Sequence, residues 1–218
     1  MNYSERLNRV IPGGAHTYSR GDDQYPENAP QLFERGSGAY LYTPEGEEFL
    51  DYGMALRAVS LGYGERSVAD AAMAEILRGN NLTRPSLVEL NAAELMTQIV
   101  PSVEMVKFAK NGSTVTTAAL KVARAYTGCK YIARCAQHPF FSYDDWFIGD
   151  TALKRGIPDE HASLTLNFNY NDIASLNTLF EQYPNQIAGV ILEPATSAHP
   201  ENNFLQQVKD VCHKNGAL

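Results

Sequence analysis

The pattern of apolar and polar positions changes near residue 100. Before that point the segments are short and mixed, and residues 39–42 and 47–52 predict a hairpin, because Pro44 presets a turn and Gly46 closes it. From about Val103 onward, apolar runs typical of strands alternate with helical periodicity. This alternation favours an α/β layer structure with a mostly parallel sheet.

The helix and strand signals are specific enough to give bounds. One helix is predicted to begin at Ser67 and end at Gly79, and another to begin at Ser86, where Glu89 completes a capping box. Later helices are predicted over residues 114–126, 173–183 and 204–215. The predicted strands of the second part are residues 103–109, 130–135, 162–166 and 187–193.

The last two residues follow the helix stop at Gly216. Ala217 and Leu218 resemble the first residues of another buried strand. A parallel sheet that lacks its next strand leaves backbone groups unpaired in the core. We therefore expect the chain to be the first part of a longer protein.

Composition and charge restrict the classes of partner. The 218 residues are 44% hydrophobic and 20% charged, as in ordinary globular proteins. Because 25 acidic residues outnumber 18 basic ones, the net charge is -7, and no broad basic surface is expected to bind a nucleic acid or an anionic membrane. A small polyanion bound at one local site remains compatible with this charge.

Cysteine and histidine spacing gives no sign of a disulfide framework or a metal site. The three cysteines form no C-x-x-C pair, and the five histidines have no metal-ligand spacing. Residues 1–9 contain no apolar core of a signal peptide, and every apolar run is too short to cross a bilayer. These features predict a cytoplasmic protein with no metal and no membrane segment.

The loop of Lys110, Asn111, Gly112, Ser113 and Thr114 is the best local candidate for binding chemistry. It precedes a strongly patterned helix, and the first amides of a helix lack intrahelical partners and attract anions. The loop therefore predicts a phosphate site. The alternative interpretation is that Ser113 merely caps its helix, and on local sequence alone this alternative is favoured.

Three further residues are weaker candidates. His138 follows a predicted strand, where loops often carry function, although a packed histidine is the commoner case. Glu193 follows the most apolar strand, at what would be the carboxyl edge of the sheet. Arg20 could bind a carboxylate through two hydrogen bonds, although a solvated arginine is the default.

Six segments in register resemble one family, the class III (subgroup II) pyridoxal-phosphate (PLP) aminotransferases, and within it the glutamate-1-semialdehyde 2,1-aminomutases. The resemblance covers essentially the whole chain, and no single segment decides it. The segments are residues 11–14 (IPGG), 38–41 (GAYL), 51–53 (DYG), 100–106 (VPSVEMV), 123–128 (ARAYTG) and 191–194 (ILEP).

The resemblance implies a truncated PLP-dependent transferase of fold type I, an α/β fold. Residues 1–75 would form an N-terminal α+β segment with the hairpin, and residues 76–218 the first half of the large, mostly parallel PLP-binding domain. The implied activity is PLP-dependent amino transfer, with pyridoxamine phosphate as the other cofactor form and a small amino-acid-like substrate. Members of the family are homodimers, so the full protein is expected to be one.

The resemblance also assigns roles to residues. Asn111, Gly112, Ser113 and Thr114 align with the family's phosphate loop, Ser-Gly-Thr-Glu. His138 aligns with the Tyr-His-Gly segment, whose aromatic residue stacks on the cofactor ring. The further assignments are Phe140 or Phe141 for ring stacking in place of Gln137, Glu193 for the edge of the cofactor pocket, and Arg20 for the substrate carboxylate.

Departures from the family pattern leave the substrate open. Ala55, Leu56 and Arg57 replace the family's Ser-Trp segment, and Tyr63 stands where a histidine is usual. These changes are compatible with an intermolecular transaminase acting on another amino acid or a sugar.

The resemblance places the Schiff-base lysine and the aspartate that pairs with the pyridinium nitrogen after Leu218. No catalytic residue is therefore assigned within the 218 residues, and the chain alone is expected to be inactive. A non-catalytic fragment or binding module that keeps the fold is the third interpretation.

Overall fold

The computed structural model describes residues 1–79, 81–138 and 141–218, and divides into two compact units. Unit 1 comprises Met1–Glu94 and unit 2 comprises Leu95–Leu218. Among the described residues, no helix combines the length and apolar character needed to span a membrane.

Unit 1 is built from short elements. An N-terminal helix, α1 (Tyr3–Val10), precedes three 3-10 turns at Pro12–Gly14, Tyr18–Arg20 and Asp22–Gln24. A three-stranded antiparallel sheet follows, and it contains the predicted hairpin together with one additional strand. Its strands are β1 (Arg35–Ser37), β2 (Tyr40–Tyr42) and β3 (Glu48–Leu50).

The single turn α2 (Met54–Arg57) winds left-handed through four consecutive residues that are not glycine. A left-handed conformation costs roughly 1–2 kcal/mol for each residue that has a Cβ atom. The turn therefore requires contacts that hold it.

Two longer helices follow, α3 (Arg66–Leu77) and α4 (Leu87–Ile99). The predicted capping box of α4 is confirmed, since Ser86 N donates to Glu89 Oε2 at 2.8 Å and Glu89 N donates to Ser86 Oγ at 3.3 Å. The predicted start of α3 at Ser67 is one residue late, because the helix begins at Arg66 and the Glu65 carboxylate caps it by accepting the Ser67 amide at 3.1 Å.

Unit 2 is an α/β layer structure around a three-stranded parallel sheet of order β5-β4-β6. Cross-strand pairs include Ile132 with Thr165 and Arg134 with Ile191. The strands are β4 (Tyr131–Cys135), β5 (Thr165–Phe168) and β6 (Ile187–Ile191). The helices are α5 (Gly112–Thr127), α6 (Asp145–Ile148), α7 (Asp159–Ala162), α8 (Ile173–Gln182) and α9 (Phe204–Lys214).

The last residue extends the hydrogen bonding of β6. Val190 N donates to Leu218 O at 2.8 Å, and Leu218 N donates to Ala188 O at 3.1 Å. Ala217 is buried, but its amide donates to Cys212 O at 2.9 Å, so of these two residues only Leu218 bonds to the sheet.

Two strand predictions require correction. Residues 103–109 contain no strand, although they are apolar enough for one. The predicted strand 162–166 instead begins at Thr165, because Pro158 and the acidic residues Asp159 and Glu160 start the short helix α7 just before it.

Two apolar clusters cover the two faces of the parallel sheet. One surrounds Phe168, Leu176 and Phe204, and the other surrounds Ile132 and Trp146. These clusters fix the positions of the loops at the edge of the sheet.

Candidate functional site

The carboxyl ends of the parallel strands bring several predicted residues to one edge of the sheet. His138 follows the end of β4 at Cys135, and Glu193 follows the end of β6. Because a tight turn at Gly128 joins α5 to β4, the helix runs back along the strand and its first residues lie at this same edge. A hydrogen bond joins the first part of α5 to the segment after β4, since Thr116 Oγ1 donates to Phe141 O at 2.9 Å.

The start of α5 has the geometry of an anion site. Asn111 is the N-cap, and its side chain accepts the Thr114 amide at 2.9 Å. The amides of Gly112 and Ser113 donate to no acceptor within the described residues. The first turn of a 16-residue helix thus presents free N–H groups and the positive end of its dipole.

This arrangement corrects the sequence analysis in one respect. Ser113 does not cap the helix, which begins two residues before Thr114. The cap is Asn111, because its backbone is extended, with φ -158° and ψ 171°, and its short amide side chain reaches the third amide of the turn.

Gly112 and Ser113 keep the site open and polar. A Cβ atom at Gly112 would meet nothing within 4 Å, so space lies in front of the free amides. The Ser113 Oγ accepts the Tyr143 amide at 3.2 Å, which leaves its hydroxyl proton available for a ligand. Thr114 is exposed beside them. Amides, a hydroxyl and open space fit a phosphate group.

A polar latch, defined here as Thr117 with Asp144 and Trp146, fixes this loop to the segment after β4. Trp146 Nε1 donates to Thr117 Oγ1 at 3.0 Å, and the Thr117 hydroxyl donates to the Asp144 carboxylate. Sequence analysis missed this latch. The available signal was the cluster of β-branched threonines early in α5, since such residues are poor helix formers.

His138 is the most unusual polar residue of the edge. Its side chain is only 3% exposed, and its Nδ1 accepts the Glu193 amide at 2.9 Å. Burial lowers the pKa of His138, with Arg134 acting in the same direction and Glu193 against it. The neutral ring therefore carries its proton on Nε2, and this buried N–H has no partner within the described residues. A buried donor without an acceptor is costly, so His138 is suited to a ligand or group that supplies one.

The surroundings of His138 are aromatic. The Tyr170 ring lies 5.0 Å from the histidine ring and the Phe141 ring lies 6.2 Å away, both as centroid distances. The predicted stacking residue Phe140 lies outside the described residues. Gln137, which stands at the family's aromatic position, is turned away, because its amide donates to Asn169 Oδ1 at 2.8 Å and accepts the Tyr170 amide at 3.0 Å.

Glu193 contributes to the edge mainly through its backbone. Its amide fixes the tautomer of His138, while its carboxylate is half-buried and favours the protonated ring. The predicted role of this side chain at the pocket edge remains a prediction.

Arg20 lies in unit 1, at the end of the 3-10 turn Tyr18–Arg20. It is exposed, and its guanidinium group makes no hydrogen bond or ion pair with any described residue, although its amide donates to Thr17 O at 3.0 Å. Its charge lowers the pKa of Tyr63, although burial and the Asp51 carboxylate together raise that pKa. Arg20 is therefore an unpaired cation beside Tyr63.

Tyr63 and Asp51 hold the left-handed turn. The Tyr63 hydroxyl donates to Asp51 Oδ2 at 2.6 Å, and the Gly53 amide donates to Asp51 Oδ1 at 2.8 Å. The Tyr63 hydroxyl, with smaller contributions from the amides of Gly53, Ala55 and Met54, holds the pKa of Asp51 below its ordinary value. Sequence analysis noted Tyr63 as a departure and missed this pairing.

Comparison with known proteins gives one consistent family. The sequence profile of aminotransferase class-III matches residues 22–218. A glutamate-1-semialdehyde 2,1-aminomutase of Alkaliphilus oremlandii (strain OhILAs) is 35% identical over 225 residues, which cover 98% of this chain and 53% of that protein.

Solved structures agree in fold. The FumI protein of Sphingopyxis sp. MTA144, in its PLP internal aldimine form, superposes with a TM-score of 0.89 at 32% identity, over 99% of this chain and 52% of that one. An omega-transaminase from Sphaerobacter thermophilus superposes with a TM-score of 0.87 at 26% identity, over 99% and 52% of the two chains. This chain thus spans about half the length of the relatives it matches.

Proposed function

Because the chain belongs to the class-III aminotransferase family, we propose that it forms the phosphate-binding half of a PLP-dependent amino-transfer enzyme. The observation that carries the proposal is the pair of free amides at Gly112 and Ser113 beside a buried, unpartnered His138 N–H. Both features lie at the carboxyl edge of the parallel sheet, where α/β proteins bind ligands.

The residues present fit the cofactor. Gly112 and Ser113 would bind the phosphate through their amides and the Ser113 hydroxyl, with Thr114 beside them. Asn111 acts by capping the helix, so it holds these amides in place. PLP supplies an electron sink for charge that develops at the substrate carbon.

His138 and Arg20 have separate tasks in this proposal. His138 keeps its proton on Nε2, because Nδ1 is occupied by the Glu193 amide, and it offers that proton to an acceptor at the pocket. Arg20 orients the substrate by binding its carboxylate with the guanidinium group. Phe140 is proposed to flank the ring and Glu193 to limit the pocket edge.

Cofactor affinity tests the phosphate site. In the whole protein, Gly112→Asp places a carboxylate in the open space before the free amides, and we expect the affinity for PLP to fall at least about tenfold through charge repulsion. Gly112→Asn is the control, because its side chain enters the same open space without a charge. Titration of the apoprotein with PLP, followed by the absorbance of the bound cofactor, measures both. Equal losses in the two variants would contradict the phosphate site.

Two reactions compete within this function. The first is the intramolecular exchange that converts glutamate 1-semialdehyde to 5-aminolevulinate, supported by the 35% identity to an aminomutase. The second is intermolecular transamination, supported by Ala55, Leu56 and Arg57 in place of the family's Ser-Trp segment. A mutase forms 5-aminolevulinate without an added keto acid, whereas a transaminase requires a separate amino acceptor.

The 218 residues by themselves are proposed to be inactive, because the resemblance assigns the lysine and the pyridinium aspartate to positions after Leu218. Steady-state amino transfer by this chain alone would refute that statement. If the whole protein also lacks a covalently bound cofactor, the non-catalytic interpretation replaces the enzymatic one.

The whole protein is proposed to be a homodimer, as the family resemblance implies. Light scattering on the purified whole protein distinguishes a dimer from a monomer by its mass.

A further inference from the structure

Residues 103–109, between α4 and α5, are an apolar segment whose backbone is unpaired. The Val103 amide donates to Val100 O at 2.9 Å, but from residue 104 to residue 110 no backbone N–H or C=O group bonds to any part of the chain that the structure describes. Two apolar side chains of the segment are exposed, Met105 at 91% and Phe108 at 50%. A run of unpaired backbone groups beside apolar side chains is a template for another strand.

The helix that follows fixes the direction of this segment. α5 begins at Gly112, at the carboxyl edge of the sheet, and the segment ends just before it. The end of the segment therefore lies at the carboxyl edge, as the end of β4 does. A strand formed by these residues would run parallel to β4, and together with α5 and β4 it would make one β-α-β crossover.

The hand of that crossover gives its side of the sheet. Connections between parallel strands of one sheet are almost always right-handed. In the observed order β5-β4-β6, α8 leads from β5 to β6 and packs on one face through Leu176, whereas α5 packs on the opposite face through Leu120. Crossovers of one hand on opposite faces run in opposite directions across the sheet. The segment before α5 therefore belongs on the β6 side of β4.

The position next to β4 on that side is already occupied. β6 pairs with β4, and Leu218 bonds to the other side of β6 through Ala188 and Val190. The segment therefore belongs beyond the row in which Leu218 lies. Its charged residues Glu104 and Lys107 are exposed, and charges are typical of edge strands, whereas central parallel strands are apolar throughout.

We infer that residues 103–109 form an edge strand of this sheet, and that the partner of this strand is a segment of the same chain after Leu218. The partner is assigned to the same chain because this chain spans 53% of the aminomutase and 52% of the FumI protein. Nearly half of each relative is thus left for further strands. The segment would then join the described part of the sheet to the part that follows.

The partner strand would also constrain the proposed phosphate site, a consequence that rests on the proposed function. Residues 103–109 lead into Asn111, whose side chain caps the first turn of α5. On its other side this turn is held by the segment after β4, since Ser113 Oγ accepts the Tyr143 amide at 3.2 Å. Pairing of the edge strand would fix the second approach to the free amides of Gly112 and Ser113.

Hydrogen exchange of the whole protein without PLP tests the strand. In an edge strand every second N–H group bonds to the neighbouring strand, and the others face solvent. We expect alternate amides of residues 104–109 to exchange at least about a hundredfold more slowly than the amides between them. Uniformly fast exchange, as in a loop, or uniformly slow exchange, as in a central strand, would overturn the inference.

Photo-crosslinking of the whole protein identifies the partner. The protein is produced with photo-methionine, a diazirine analogue of methionine, as a mixture of copies labelled with light and with heavy nitrogen. We expect Met105 to form cross-links to residues after Leu218 in which both peptides carry the same isotope. Cross-links to those residues only between light and heavy copies would assign the partner to a second copy. That result, or no cross-link to those residues, would overturn the inference.

Proline substitutions in the whole protein test the link to the phosphate site. Proline has no N–H group, so an edge strand accepts it only where that group faces solvent. Val106 and Lys107 are adjacent, and their N–H groups point to opposite sides of a strand. We expect one of Val106→Pro and Lys107→Pro to weaken PLP binding at least about tenfold relative to alanine at the same position, and the other less than about twofold.

Titration of each apoprotein with PLP measures these affinities. Equal effects of the two prolines would overturn the link between the strand and the phosphate site. If the wild-type protein binds no PLP, the proposed function fails, and hydrogen exchange and cross-linking still decide the strand. Neither of those two measurements requires a proline variant that folds.

Discussion

Each unit is stabilised internally by a different kind of interaction. Every fully buried apolar side chain among the described residues belongs to unit 2, between Leu120 and Ala217. Among residues 1–79 and 81–94, the buried ones are Gly14, Gly21 and Thr43. Unit 2 therefore has a packed apolar core, whereas unit 1 relies on hydrogen bonds, turns and a short antiparallel sheet.

This difference explains why the candidate residues of the two units are held in different ways. In unit 2 the core fixes β4 and β6, and their ends fix His138 and the start of α5. In unit 1 the Asp51–Tyr63 hydrogen bond holds the strained turn α2, none of whose residues is buried. A packed core holds side chains rigidly in position. A segment held by a few hydrogen bonds can be loosened when one of those bonds is lost.

The substitution with the largest expected effect tests whether the apolar core is confined to unit 2. Phe168→Ala is expected to lower the free energy of unfolding by about 3–5 kcal/mol, because it leaves a cavity beside Leu176 and Phe204. Leu77→Ala in unit 1 is expected to lower it by less than about 0.5 kcal/mol, since Leu77 is exposed. Urea unfolding, followed by the fluorescence of the single tryptophan Trp146, measures both. Similar losses in the two variants would break the comparison.

Ion pairs give the second contrast. Arg134 Nε lies 2.5 Å from Asp150 Oδ2, and their side chains are 8% and 16% exposed. Asp150→Ala leaves Arg134 buried and unpaired, so we expect a loss of roughly 3 kcal/mol.

The matched pair in unit 1 is Arg66 with Asp70, whose side chains are 88% and 61% exposed. Water screens this pair, and Asp70→Ala is expected to cost less than about 0.5 kcal/mol. The same urea titration applies, and a larger loss from Asp70→Ala than from Asp150→Ala would contradict the assignment of burial.

The third contrast is between the polar latch of unit 2 and the Asp51–Tyr63 hydrogen bond of unit 1. Thr117→Val leaves the buried Trp146 Nε1 without its acceptor and is expected to cost about 1–3 kcal/mol. Tyr63→Phe removes a hydrogen bond in a half-exposed position and is expected to cost about 1 kcal/mol. Hydrogen exchange of residues 141–146 and 53–59 measures the local opening of each segment.

Thr178→Val is the control for the threonine substitution. Its hydroxyl donates to Ala174 O at 2.9 Å within one exposed helix, so it joins no two elements. Faster exchange of residues 141–146 in this control than in Thr117→Val would refute the latch.

The smallest effect concerns pH. Burial lowers the pKa of His138 below 6.5, so the folded chain binds this proton less tightly than the unfolded chain. The stability that the neutral ring contributes is present above 6.5 and is lost as pH falls through the lower pKa of the folded state. The Asp51 carboxylate in unit 1 also contributes stability that is lost as pH falls, but in a lower pH range, because its pKa is lowered from 3.8.

We therefore expect the urea midpoint reported by Trp146 to fall between about pH 7 and pH 5, and this fall to flatten in His138→Gln. His213→Gln, an exposed histidine of the same unit, should keep the wild-type slope. An unchanged slope in His138→Gln would assign the pH dependence to other groups.

Local pattern predicted much of the secondary structure. Each of β4, β6, α8 and α9 matches its prediction at one end and differs by one or two residues at the other, and the hairpin has its turn at Gly46, where φ is 88°. These elements depend on residues within a few positions of one another, as do caps and turns. The apolar run 103–109 and the misplaced strand near Thr165 show the limit, because apolar character alone does not say whether a strand finds a partner.

Some features of the candidate residues were predicted from the sequence, and others were not. The loop before α5 was singled out because helix starts have a local signature, but the cap considered there was Ser113, whereas the structure has Asn111. His138 was chosen by position and resemblance, and nothing local indicated an unpartnered Nε2. The left-handed turn had no sequence signal, since Met54, Ala55, Leu56 and Arg57 are ordinary right-handed helix formers.

The sequence by itself determined the α/β class, the family and the loop that begins α5, because periodicity, capping and short motifs act over a few residues. Only the tertiary structure decided that Glu193 fixes the proton of His138 across 55 positions, and that Trp146 anchors Thr117 across 29. Contacts at such separation depend on which strands pair and in what register. That pairing is decided by packing of the whole sheet, and no local pattern contains it.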